Sequence, residues 1–96
     1  MQISEVQVVP IKPNNGLVGF ASCVIDGNLY VGSIGIFTRL QGGYRLTYPT
    51  KKTPSGNVGV VYPINKETSH AIESVILAKF EEVTNQYVRH DSPDTQ

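Results

Sequence analysis

Hydrophobic and polar positions divide the 96-residue chain into a β-patterned first two thirds and a helix-patterned last third. Ile3 to Pro10 alternates loosely around Val6 and Val8 and stops at Pro10 and Pro13, a weak strand suited to a sheet edge, where proline is tolerated. Pro13-Asn14-Asn15-Gly16 supplies the turn. Leu17 to Ile25 is a stronger strand, with Val18, Phe20 and Val24 predicted on one face and Leu17, Ala21, Cys23 and Ile25 on the other, so that both faces are apolar. Asp26-Gly27-Asn28 signals a tight hairpin, because these residues accept the positive φ of primed turns. Leu29 to about Thr38 follows as a third strand, rich in β-branched and aromatic bulk. Gln41-Gly42-Gly43 turns the chain again. Tyr44 to Tyr48 returns with Tyr44, Leu46 and Tyr48 on one face and Arg45 and Thr47 on the other.

Pro49 to Asn57 contains almost nothing apolar and is predicted as an exposed loop, followed by a short strand from Val58 to Tyr62. Asn65 then stands in the N-cap position of a helix, with Glu67 near its positive end and no glycine or proline until Pro93. Ile72, Val75, Ile76, Phe80 and Val83 recur at three and four residues, which predicts an amphipathic helix ending near Val83. Thr84 to Gln96 loses that period and is predicted as a frayed or disordered polar tail. The expected fold is α+β: a single domain over residues 1–83, with a curved antiparallel meander of four to five strands and one C-terminal amphipathic helix.

A helix of about eighteen residues is roughly 27 Å long and about 10 Å wide, enough to cover one face of such a sheet and not both. With the second strand apolar on both sides, the expected cover for the other face is a second copy of the chain, by sheet packing or strand addition. A homodimer is therefore predicted.

Composition adds limits. Apolar residues make up 40% of the chain and charged residues 17%, a globular mixture rather than a disordered one. No apolar run reaches a membrane-spanning length and the start lacks a signal-peptide pattern, so a cytoplasmic protein with no membrane partner is expected. Cys23 is the only cysteine, which rules out an intrachain disulfide and a multi-cysteine zinc site.

Net charge is zero, but its distribution is uneven. Between Gly27 and Lys66 stand Arg39, Arg45, Lys51, Lys52 and Lys66 with no Asp or Glu. Residues 67 to 96 reverse the balance, with Glu67, Glu73, Glu81, Glu82, Asp91 and Asp94 against Lys79 and Arg89.

No catalytic set is legible. His70 and His90 have no partner at a familiar metal-ligand spacing and are expected as solvated surface residues. Cys23 lies within an apolar strand, where core packing is expected rather than nucleophilic use. The glycines show no phosphate-cradle spacing, and Glu81-Glu82 point to different sides of a helix, unsuited to acid–base work. No enzyme activity, cofactor or metal is predicted.

What remains is Pro49-Thr50-Lys51-Lys52-Thr53-Pro54-Ser55-Gly56, a basic pair framed by prolines that limit its freedom. Two cations with hydroxyl and amide donors beside them suit phosphate contact at reduced entropic cost. The plainer reading is a solvated loop whose lysines aid solubility. Arg39 and Arg45 flank the preceding turn and are further candidates for nucleic-acid contact, whereas Tyr44 and Tyr48 fit a core face better than base stacking.

The Gly42-Gly43 turn, the proline-framed basic segment 49–56, and Tyr62-Pro63-Ile64-Asn65 leading through Thr68 to Ile72, Val75, Leu77 and Phe80 resemble the stage V sporulation protein G family over roughly Ile3 to Val83. The resemblance implies a small dimeric bacterial regulator that binds DNA and also RNA, is linked in spore formers to septum formation, and has no catalytic activity. It also implies a nucleic-acid-contacting role for Lys51 and Lys52, and none for Arg39 or Arg45. Two departures lower the positive charge: Ser33-Ile34-Gly35-Ile36 stands where the family often has an acidic and a basic residue, and Ser69 where it has a basic one. The competing expectation is a protein-interaction module at the division apparatus, which recruits a cell-division partner through a strand edge or the acidic helix face.

Overall fold

The computed structural model describes the backbone of residues 1–91 and the side chains of residues 1–85. Six strands precede one helix: β1 (Ile3–Asn14), β2 (Leu17–Ile25), β3 (Leu29–Thr38), β4 (Tyr44–Thr47), β5 (Thr50–Thr53), β6 (Gly56–Gly59) and α1 (Lys66–Asp91). The first four form an antiparallel meander in the order β1-β2-β3-β4, and β5 and β6 form a separate two-stranded hairpin. The α+β reading of an antiparallel sheet with one C-terminal helix therefore holds, with the strands split between two sheets.

Turn chemistry fixes the first two connections. Asn15 (φ 53°) and Gly16 (φ 90°) occupy the two-residue β1–β2 turn, and Asp26 (φ 52°) and Gly27 (φ 66°) open the β2–β3 turn. Positive φ at both central residues matches the right-handed twist of the flanking strands. Asp26 also ties down the chain start: its N–H donates to the Gln2 carbonyl and its Oδ1 accepts from the Gln2 N–H, each at 2.7 Å. β1 lies at the sheet edge, as its prolines require, and runs on through Pro13 to Asn14 rather than stopping at Pro10.

One face of the meander is packed on α1. Ala21 and Cys23 from β2, Val31, Ile34 and Ile36 from β3, and Ile72, Ile76 and Phe80 from α1 form the buried core. Asn65 caps the helix through its side chain, its Oδ1 accepting from the Thr68 N–H at 2.8 Å. Val75, expected on the buried stripe, is 36% exposed, so the stripe narrows to the i, i+4, i+8 row of Ile72, Ile76 and Phe80. Phe80 meets Tyr44 edge-on at 5.0 Å and lies against Gly19, where a Cβ would stand only 3.4 Å from its ring.

Three bulges let residues that break the two-residue period share the core face. β3 carries an extra residue around Ser33 (φ 56°), between the pairs Cys23–Val31 and Ala21–Ile34, so Val31 and Ile34 both face α1. β1 does the same around Glu5 (φ 48°), which brings both Ile3 and Val6 to the core. At the start of β2 the register shifts between Leu17 and Gly19. As a result Val18 packs on the core, while Leu17 lies over Gly35 beside Phe37, the reverse of the faces expected for these two residues.

The helix continues to Asp91, beyond the expected end at Val83. Loss of apolar period does not stop a helix, and no breaker stands between Val83 and Pro93. Thr84 stays within it by donating its hydroxyl to the Phe80 and Glu81 carbonyls, at 2.8 and 3.2 Å. The tail expected over residues 84–96 thus begins in helix, and residues 92–96 lie outside the described part. So does the side chain of His90.

The face of the sheet opposite α1 bears Val9, Phe20 and Tyr30, which are 62%, 43% and 70% exposed, together with Val24, Phe37 and Arg45. No described residue of this chain covers it.

Candidate nucleic-acid interface

The segment read as a loop between Pro49 and Asn57 is the β5–β6 hairpin. Thr50, Lys51, Lys52 and Thr53 pair with Gly59, Val58, Asn57 and Gly56 across a two-residue turn, Pro54-Ser55. Few apolar side chains disguise it as a loop, but Thr-Lys-Lys-Thr and Gly-Asn-Val-Gly supply an uninterrupted ladder, and Val58 and the threonines are β-formers. Gly56 leaves the turn at φ 120°, a conformation that suits glycine, and the Thr53 hydroxyl closes the turn onto the Gly56 carbonyl at 2.6 Å. β6 ends at Gly59, short of the expected Tyr62. Beyond it the Val60 N–H still donates to the Pro49 carbonyl at 3.0 Å.

The hairpin stands out from the body. Every residue of its strands except Thr53 is exposed, and β5 and β6 pack chiefly on each other. Its two lysines are sequence neighbours in a strand, so they project to opposite faces. Lys52 shares one face with Thr50 and its cross-strand partner Asn57. Lys51 shares the other with its partner Val58, toward the side of Val60. The basic pair therefore does not act as a two-pronged clamp on one surface.

Arg39 and Arg45 lie elsewhere. Arg39 closes the β3–β4 turn, where its Nε donates to the Tyr44 carbonyl at 3.2 Å, and the Arg45 guanidinium sits 4.9 Å from the centre of the Phe37 ring directly across the sheet. Both are exposed at the turn end of β4, while the hairpin leaves from the other end. The structure thus does not gather the four candidate cations into one cluster. Among the described residues the one ion pair is Lys79–Glu82, at 3.9 Å on the exposed helix surface, so none of the four is paired with a described carboxylate. Glu67, Glu73, Glu81 and Glu82 belong to α1, which also carries Lys66 and Lys79, whereas Glu5 on β1 and Asp26 in the β2–β3 turn are the other described carboxylates.

Cys23 and Tyr48 are placed for packing. Cys23 is fully buried, and desolvation raises its thiol pKa. Tyr48, half-buried above the start of α1, is pushed up to about 12 by burial first and then by Glu73 and Cys23. His70 is exposed, and among the described residues no three His, Cys, Asp or Glu side chains come together as metal ligands. An apolar hollow of about 130 Å³ lies between the end of the sheet and the helix start, lined by Leu29, Tyr48, Val61, Tyr62 and Ile72 among others. It offers no acid–base pair.

The chain matches the SpoVG family model over residues 1–82. It belongs to the SpoVG family. Relatives span nearly its whole length. One from Clostridium acetobutylicum, named "Putative septation protein SpoVG", is 32% identical over 90% of each chain. Another of the same name from Phytoplasma australiense is 31% identical over 100% of this chain and 99% of its own. The SpoVG match takes in the meander, the hairpin and the buried stripe of α1, and so covers every residue of the proposed interface. The family is named for septation and sporulation rather than for a reaction. Among the described residues of this SpoVG chain no helix is long and apolar enough to cross a membrane.

Proposed function

We propose that this SpoVG-family chain is a cytoplasmic nucleic-acid-binding regulator linked to septation, acting as a homodimer and holding DNA or RNA phosphates through its projecting basic hairpin. The observation that carries the reading is the hairpin itself: two lysines unpaired with any described carboxylate, on strands exposed to solvent, in a stretch of chain without a single Asp or Glu. Cations so placed gain from phosphate by releasing its counterions. Arg39 and Arg45, at the far end of β4, are a second and separate point of contact in this reading.

The dimer is proposed to form over the bare sheet face around Phe20, since burying Val9, Phe20 and Tyr30 removes apolar surface from water that α1 cannot reach. Light scattering at micromolar protein checks it: a monomeric mass removes the dimer.

Fluorescence anisotropy with labelled duplex DNA and with RNA across a salt series tests the binding. With about four to eight phosphates neutralised per dimer, the log–log slope is expected between roughly −3.6 and −7, and the Lys51→Ala, Lys52→Ala double variant should flatten it. A salt-independent response would sink the proposal.

The same apolar face supports a second reading, a module that recruits a division protein without touching nucleic acid. A partner retained on a pull-down after nuclease treatment and after removal of both lysines would favour it.

A further inference from the structure

Lys51 and Lys52 differ in what surrounds them, and that difference says how the hairpin meets its ligand. The face of Lys52 bears Thr50 beside it on β5 and Asn57 directly opposite on β6, with the Tyr62 ring lying over Gly59 at its end. The face of Lys51 is half apolar, with Val58 opposite at 53% exposure and Val60 following at 56%. Only the first face sets a side-chain amide, that of Asn57, beside its lysine, and an amide reads base edges in two-pronged fashion.

The geometry points to β5–β6 as a β-ribbon that enters the major groove of duplex DNA with the Thr50–Lys52–Asn57 face inward. This rests on the nucleic-acid reading above and names its ligand form and its contacting face. Size supports it. Two strands about 4.8 Å apart with their side chains fit a groove about 12 Å wide, which admits a two-stranded ribbon. Four residues of strand, about 14 Å at about 3.4 Å each, run alongside roughly four base pairs. The sheet and helix leave the hairpin clear, and only the Tyr62 ring, over Gly59, lies at the base of this face.

Chemistry supports it as well. Asn57 carries the amide that pairs in two-pronged fashion with adenine N6 and N7, Lys52 brings a cation to guanine O6 and N7 or to the flanking phosphate, and the Thr50 methyl meets a thymine methyl. No carboxylate lies on either strand to repel the backbone. Duplex RNA is disfavoured because its deep, narrow major groove does not admit side chains in this way. Lys51, Val58 and Val60 then face out of the groove.

The test compares Lys52→Ala, Lys51→Ala and Asn57→Ala with the wild type, by anisotropy on a labelled DNA duplex selected by the wild-type protein from a randomised pool. A scrambled duplex and the RNA duplex of the same sequence serve as comparisons. All three positions are exposed, so circular dichroism should report the same fold for each. Lys52→Ala should weaken binding to every duplex and reduce the salt slope by about 0.9 for each hairpin engaged. Asn57→Ala should keep the slope and lose about tenfold or more of the preference for the selected over the scrambled duplex. Lys51→Ala should weaken binding less than Lys52→Ala does and keep the preference for the selected duplex.

Equal losses from Lys51→Ala and Lys52→Ala, an Asn57→Ala variant with full preference, or RNA duplex bound as well as DNA would each overturn the ribbon while leaving salt-dependent binding in place. Absence of salt-dependent binding by the wild type would overturn the parent reading and the ribbon with it.

Discussion

The meander and the β5–β6 hairpin are both antiparallel, both built on short turns and joined by only a few residues, yet they keep their shape by different means. The meander buries five side chains against three from α1. The hairpin buries almost nothing and holds together by its ladder and one turn hydroxyl. An isolated two-stranded hairpin is marginal in water, so Lys51 and Lys52 stand on the element that contributes least to stability. On the proposed reading, stability and ligand contact fall to separate parts of one small chain, and a change in one should leave the other nearly untouched.

The sharpest test of that separation is Phe80→Ala. It empties the site between Tyr44 and Gly19 and should cost about 3–5 kcal/mol in denaturant unfolding, enough to unfold much of a protein this small. Asn65→Ala, which deletes the helix cap on the Thr68 N–H, should cost about 1 kcal/mol in the same measurement.

Alkali should act on the body and spare the hairpin. Tyr48 has its folded pKa raised from 10 to about 12, so the folded state holds its proton more tightly than the unfolded chain. Its contribution is complete below pH 10 and is lost as pH rises from 10 through 12. Urea midpoints measured across that range should fall for the wild type and fall less for Tyr48→Phe. At the small end, Val58→Thr on the exposed hairpin should move the unfolding free energy by no more than about 0.5 kcal/mol. A loss like that of Phe80→Ala would mean the hairpin is part of the folding core and would end the comparison.

Much of this division was readable in residue types. The Asn-Gly and Asp-Gly turns, the edge placement of a proline-bearing first strand, the buried Cys23 and the cap at Asn65 follow from local chemistry, and local chemistry is what single residues report. The faces were harder. Ile3 and Val6, and likewise Val31 and Ile34, stand three apart, a spacing that fits neither face of a regular strand. They share the core only because Glu5 and Ser33 adopt left-handed backbone, and nothing in a glutamate or a serine announces that. The hairpin was hidden for another reason. Thr-Lys-Lys-Thr lacks apolar alternation because neither of its faces is buried, so a pattern built on burial has nothing to detect. Yet its register decides the candidate site: with a loop, Lys51 and Lys52 are one feature, and with a strand they are two.

The prolines of β1 bear on how copies of this chain can associate through their strands. Pro10 and Pro13 have no N–H, so the β1 margin offers an interrupted row of donors to any incoming strand, while β4 at the other margin has no proline between Tyr44 and Thr47. Were strands to add laterally, the β4 margin would be the favoured side. Two copies joined β4 to β4 would present only proline-bearing margins outward, so a chain reaction of sheet extension would end at a pair instead of running on into a fibre.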